Sequence, residues 1–247
     1  AEAQLIITYD ITAPTVTISS DLSSPTNISP IPIKVIFSES VNGFGSDEVI
    51  IGFGALTSFS GADDIYTIDV TPSSDDTIIV KIGTNVAQDD AGNGNTASTQ
   101  FKLLYDGTPP QGGLVNDGPG DDVDTQTINT SISASWTGFS DKGTGIAYYE
   151  WAIGTSAGGT DVQDWVNVGT DTTETNSSLS LADGTYYVSV KATDNSGNVS
   201  EAVSSNGVIV DTTPPSVPAN LSASAGDMII TLSWNANSES DLVKYLV

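Results

Sequence analysis

"FKLLYDGTPP" fills residues 101–110, and two other stretches repeat its form: "LIITYDITAP" at 5–14 and "NGVIVDTTPP" at 206–215. In each, an apolar run of strand character ends in an Asp, with a Thr and a Pro following within four residues. Aromatic and β-branched residues favour a strand up to the Asp, and Pro, which cannot donate to a ladder, stops it there. Asp10, Asp106 and Asp211 stand 96 and 105 residues apart (106 − 10 and 211 − 106). That interval is the length of one small antiparallel β domain, about 100 residues. The recurring acid therefore works as a ruler that divides the chain.

Between the marks the sequence reads as short strands broken by Gly, Pro, Asn and Asp. The first interval predicts "TVTISS" (15–20), "IPIKVIF" (31–37), "EVIIGFG" (48–54), "IYTIDV" (65–70) and "TIIVKIG" (77–83). The second predicts "SISASW" (131–136), "YYEWAIG" (148–154), "WVNVG" (165–169), "TYYVSVKA" (185–192) and "GVIVD" (207–211). Strands at such intervals, with almost nothing helical between them, point to antiparallel sandwiches. In "TYYVSVKA" the alternation places Tyr186, Val188, Val190 and Ala192 on one face and Tyr187, Ser189 and Lys191 on the other. "LADGTY" (181–186) has the form of a tyrosine corner. Trp136, Trp151 and Tyr186 are assigned to the core, and Lys142 and Lys191 to the surface. The fold class is all-β: tandem Ig-like or fibronectin-type-III-like antiparallel β-sandwiches, arranged end to end.

Composition narrows the chemistry. The chain of 247 residues contains no His and no Cys, and its 6 basic residues are all Lys, against 31 Asp plus Glu, for a formal charge of −25. Cys/His zinc sites, thiol nucleophiles, Ser-His-Asp triads and disulfides are excluded. So acidic a surface repels nucleic acid and anionic membranes and attracts cations. No apolar run approaches the roughly 18 residues that span a bilayer. Hydrophobic content of 38 % is too high for a disordered acidic tail, so the charge sits on folded modules.

The blocks "PTNISPIPIKVIFSESVNGF" (25–44), "VTPSSDDTIIVKI" (70–82) and "VAQDDAGNGNTAS" (86–98) carry a resemblance. Residues 11–106 resemble the bacterial Ig-like repeats of biofilm-associated and other giant surface adhesins. Residues 107–211, with "SWTGFSDKGTGIAYYEWAIGT" (135–155) and "VKATDNSGNVSEAVSSNGVIVDTTPP" (190–215), resemble fibronectin-type-III-like modules of bacterial secreted multidomain proteins. Residues 212–247 resemble the N-terminal part of an incomplete fibronectin type III domain, with Trp234 in the place of Trp136. Residues 1–10 read as the last strand of a preceding domain. The resemblance implies a bacterial, extracellular, cell-surface or secreted segment of spacer or adhesive modules.

A second repeat lies within the first. "DDAGN" (89–93) and "DNSGN" (194–198) both precede the final strand of their intervals, and "FSE" (37–39) and "FSD" (139–141) lie in the loop between second and third strands. In an Ig-like sandwich both loops sit at the end where the linker enters. Asp10, Glu39 and Asp89 are thus expected to meet at one junction, and Asp106, Asp141 and Asp194 at the next. Asp211 marks a third. Crowded carboxylates call for a hard cation, and Ca²⁺ takes six to eight oxygens; Asn93 and Asn198 are candidates to add amide oxygens. Asp-x-x-Gly-Asn is also sound turn chemistry, with the Asp bonding its own backbone and the Gly supplying φ > 0. The cluster "NDGPGDDVD" (116–124) departs from the EF-hand spacing and reads as a solvated loop.

Three functions follow as expectations. The first is a non-catalytic, Ca²⁺-stiffened rod in a large bacterial surface protein, whose partners are the neighbouring domains of the same chain and, beyond them, other surface proteins or polysaccharide. The second is a carbohydrate- or protein-binding module using Trp165, with Tyr148 or Tyr149. The third is a set of accessory modules of a large secreted enzyme. No catalytic residues are assigned within 1–247.

Overall fold

The computed structural model describes residues 9–239, 242, 244 and 245. The first set of strands is β1 (Val16–Ser19), β2 (Ile31–Phe37), β3 (Val49–Gly52), β4 (Gly54–Ala62), β5 (Ile65–Pro72), β6 (Asp76–Ile82) and β7 (Phe101–Tyr105). They form a four-stranded sheet in the order β1-β2-β5-β4 and a three-stranded sheet in the order β3-β6-β7. Strict alternation in β2 sends Ile31, Ile33, Val35 and Phe37 inward and leaves Pro32, Lys34 and Ile36 outward. Ile78, Val80 and Ile82 of β6 come from the facing sheet into the same core, where Phe37, Phe44 and Tyr66 pack edge to face. Each such burial removes apolar surface from water at a gain of about 1.5–3 kcal/mol per large side chain. The only helical turn among the described residues is a 3-10 segment over Ser46–Glu48.

The second set is β8 (Leu114–Asp117), β9 (Thr125–Gln126), β10 (Ile132–Thr137), β11 (Ile146–Gly154), β12 (Gln163–Asn167), β13 (Thr173–Asn176), β14 (Gly184–Asp194), β15 (Val203–Ser204) and β16 (Val208–Val210). One sheet runs β13-β10-β8; the other runs β12-β11-β14-β16-β9, with β15 beside β14. A separate core lies between them, holding Trp136, Trp151, Val188 and Val190. Tyr186 is buried and donates its hydroxyl to the Ala182 carbonyl at 3.0 Å, as the tyrosine-corner reading requires.

One surface expectation, Lys191, needs correction, and the face of β14 that carries it is more covered than alternation alone suggests. Ser189, on the outward face of β14, is fully buried because the loop after β11 folds over it, with the Gly158 N–H donating to its hydroxyl at 3.0 Å. Lys191 is half-buried: it pairs with Glu150 at 3.2 Å and lies 4.6 Å from the centre of the Trp165 ring. Lys142 is exposed, as expected.

Beyond these, β17 (Ser222–Ala225) and β18 (Ile230–Ser233) pair as an exposed antiparallel hairpin, followed by Trp234 with its ring against Tyr245. The strand read at the chain's beginning falls mostly on residues 1–8, outside the described residues; Tyr9 and Asp10 belong to no strand.

Candidate functional site

The Asp-x-x-Gly-Asn segments fold identically. In the first, the Asp89 N–H donates to the Asn93 carbonyl, the Gly92 N–H donates to the Asp89 carbonyl, and Asp89 Oδ1 accepts the Asn93 N–H at 2.8 Å. In the second, Asp194 and Asn198 exchange the same contacts, and Asp194 Oδ1 also accepts the Ser196 N–H at 2.8 Å. Gly92 at φ 89° and Gly197 at φ 91° hold the left-handed position that closes each turn. Turn chemistry accounts for one oxygen of each Asp. The other oxygen of each accepts the side-chain amide of the turn's own Asn.

At the second junction one carboxylate oxygen from each of Asp106, Asp141 and Asp194 lies within 4.8 Å of the others, and Asp106 and Asp194 are buried. The 141–145 loop wraps the linker acid. Asp141 Oδ2 accepts the N–H groups of Thr144 and Gly145 at 2.8 and 2.7 Å, and the Thr144 hydroxyl donates to Asp106 Oδ2 at 2.8 Å. Gly143 approaches so closely that a Cβ there would stand 2.3 Å from Asp106 Oδ2. Asp10, Glu39 and Asp89 are gathered within the same 4.8 Å at the first junction, with Asp10 exposed and Glu39 half-buried. Desolvation, joined by repulsion from Asp10 and Asp89, raises the Glu39 pKa above its ordinary value. Hydrogen bonds, first that from the Asn93 amide, hold Asp89 below its own. Among the described residues the ion pairs are Lys34–Asp21 and Lys191–Glu150, so none neutralises either cluster.

The two asparagines turn nitrogen, not oxygen, toward the acids. Asn93 Nδ2 donates to Asp89 Oδ2 at 2.8 Å and to the Asp10 carbonyl at 3.1 Å. Asn198 Nδ2 repeats this with Asp194 Oδ2 and the Asp106 carbonyl, both at 2.8 Å, while its Oδ1 accepts from Asn27 Nδ2 of the first sandwich at 3.2 Å. Each Asn therefore ties the linker backbone to the turn. Asp211 belongs to no such cluster among the described residues; its Oδ1 accepts the Thr213 N–H at 3.0 Å.

Residues that the sequence reading did not single out hold the linkers from the other side. Asp75 Oδ1 accepts the Gly107 N–H at 2.7 Å, and its Oδ2 accepts the Thr108 hydroxyl. Asp183 accepts the N–H and hydroxyl of Thr212, at 2.8 and 2.7 Å, and the Thr213 hydroxyl at 2.5 Å. Thr108 and Thr213 are thus clamped to the preceding sandwich, while Asp106, unlike Asp211, turns to the next. A signal was present: an acid precedes Asp106 by 31 residues and Asp211 by 28, each in a loop before a strand.

Trp165, the candidate binding platform, is half-buried with the Lys191 ammonium over its ring. "NDGPGDDVD" is not wholly the solvated loop expected: Asn116 and Asp117 end β8, where alternation buries Asp117, and only 118–124 form the loop. It gathers no three-carboxylate group among the described residues.

The two-sheet architecture makes the described sandwiches Ig-like all-β modules. Residues 10–105 match the family model described as a bacterial Ig-like domain. Solved structures similar to the chain include the fibronectin(III)-like modules of CbhA from Clostridium thermocellum, with 15 % identity over 79 % of this chain and 93 % of that one, and a TM-score of 0.36. The D00-D0 domain of intimin shows 20 % identity over 79 % and 99 %, with a TM-score of 0.32. The FN1-FN3 domains of chicken CNTN1 show 15 % identity over 92 % and 76 %, with a TM-score of 0.30. No curated protein matches the chain. No helix among the described residues is long and apolar enough to cross a membrane.

Proposed function

We propose that this chain is a non-catalytic structural segment of a large secreted or surface-bound bacterial protein, a rod of end-to-end sandwiches whose joints are stiffened by Ca²⁺. The modules are 11–106 and 107–211, and the residues before and after them belong to neighbouring modules. One observation carries the reading: buried Asp106 of the linker meets Asp194, buried at the end of β14, and half-buried Asp141 of the following sandwich, and among the described residues Lys neutralises none of them. An all-oxygen, all-anionic donor set suits a hard cation and no thiol- or imidazole-seeking metal. Three carboxylates supply part of the six to eight oxygens that Ca²⁺ takes, and water and carbonyls complete the count. Asn198 and Asn93 position the linker. Thr-Pro-Pro at 108–110 adds stiffness, because proline fixes φ and favours extended chain. The bacterial Ig-like match and the acidic surface agree with a location outside the cell.

Extracellular Ca²⁺ modules bind with Kd on the order of 10⁻⁴–10⁻³ M. At about 100 times Kd one ion stabilises its site by roughly 2.7 kcal/mol. Small-angle scattering on the wild type should show a longer, less variable particle in Ca²⁺ than in chelator, and Asp106→Asn should behave like the chelated wild type in both buffers. Equal dimensions with and without chelator, together with no calorimetric binding up to ~10 mM, would rule the metal out.

A further inference from the structure

Asp117 ends β8, and the alternation that points Val115 into the second core points this carboxyl the same way. The residue is 1 % exposed. Its Oδ2 accepts the Gly207 N–H at 3.0 Å, while the buried Oδ1 has no hydrogen-bond partner. The loop that follows folds back on it: Asp122 Oδ1 accepts the Asp117 N–H at 3.1 Å, and Asp122 Oδ2 accepts the Asn206 amide at 2.9 Å. Two carboxylates therefore fasten the 117–124 loop to the 205–207 turn, which leads directly into β16. An ionised carboxylate with one oxygen sealed from water and unpaired is costly, and a neutral one far less so.

We propose that Asp117 is a pH-sensitive latch, closed on the 205–207 turn when its carboxyl is neutral and loosened when it ionises. β10 and the 205–207 turn packed against it bring no charge, and the charges of β14, Lys191 and Asp194, are engaged elsewhere, with Glu150 and in the second acid cluster. Ser133 and Ser135 of β10 meet its loop, the Ser205 hydroxyl accepts the Val188 N–H of β14, and Ser205, Asn206 and Gly207 form the turn. The charged neighbours are Asp122 and Asp124 of its own loop, both repulsive. Burial is the largest influence and outweighs the Gly207 hydrogen bond and the nearby Ser205 hydroxyl, which favour the ionised form, so the carboxyl is pushed up to about 6.

The sign follows from linkage. A raised acid binds its proton more tightly folded than unfolded, so the second sandwich loses stability as pH rises from the ordinary value of 3.8 to about 6, and the loss is complete above that. This is the reverse of a salt-bridged Asp.

Carboxyl-carbon NMR on the full chain should give Asp117 a midpoint near 6. Unfolding followed by Trp fluorescence isolates the relevant core, because Trp136, Trp151 and Trp165 lie in the second sandwich, Trp234 follows the hairpin, and the first sandwich has none. Between about pH 4.5 and 7, the unfolding constant of the wild type should rise at least ~10-fold more than that of Asp117→Asn. A midpoint in the ordinary carboxylate range, or parallel pH profiles for the two proteins, overturns the latch. Should Asp117→Asn not fold, the wild-type midpoint decides alone, and Asp122→Asn, which removes a repelling charge, should lower it.

Discussion

A missing side chain sets the tightest contact at the second joint. Gly143 lets the 141–145 loop close on Asp106, and any Cβ there would fall 2.3 Å from one carboxylate oxygen and 2.5 Å from its carbon. The carboxylate has nowhere to retreat, being buried and held by the Thr144 hydroxyl. Gly143→Ala should therefore leave the second core folded, since the residue is exposed and not part of that core, but displace the linker acid. Disturbing groups that orient a metal ligand typically costs 10–100-fold in affinity. A Ca²⁺ titration by calorimetry should show a loss of at least ~10-fold for this variant. Unchanged affinity would mean that the loop does not shape the site.

Among the elements, linkers and loops carry the function while strands carry the core. The linker after β7 is gripped twice, by Asp75 behind and by Asn198 and Thr144 ahead. The rear grip needs no metal. Asp75→Ala removes exposed hydrogen bonds and should cost under about 1 kcal/mol of sandwich stability. It should nonetheless widen the distribution of interdomain distances, measured by spin labels on the two sandwiches, to the same extent with and without chelator. A widening seen only in one buffer would assign Asp75 to the metal site instead. Which elements were legible in the sequence follows from similar physics. β2 was evident because a strand buried on one face must alternate apolar and polar residues, and β6 and β14 because they are rich in β-branched and aromatic residues. β4, β8 and β13 passed unread, and all three are sheet edges: "GALTSFSGA", "LVND" and "TETN" carry Gly and polar residues that an edge tolerates. The two acid clusters were legible because their motifs repeat at domain spacing. Thr144, Gly143, Asp75 and Asp183 were not, since a single Thr, Gly or Asp in a loop has no pattern until the fold brings it to the linker.

Across the whole molecule the two acid clusters share a plan but not a degree of preparation. At the second, each carboxylate is already anchored: Asp106 by the Thr144 hydroxyl, Asp141 by two backbone N–H groups, Asp194 by two more. At the first, Asp10 is exposed, and Glu39 brings a longer side chain whose carboxyl is raised by desolvation and by its two acidic neighbours. Binding there must order more side-chain freedom, and ordering costs affinity. Both sites draw on the same net charge of −25, so long-range attraction does not separate them and salt weakens both. Under the calcium reading, binding should proceed in two phases, the Asp106–Asp141–Asp194 site filling first. A difference of roughly tenfold corresponds to about 1.4 kcal/mol. Calorimetric titration of Asp106→Asn should lose the tighter phase and keep the weaker, and Asp10→Asn should do the opposite. If Asp10→Asn abolishes the tighter phase, anchoring by the 141–145 loop is not what ranks the joints.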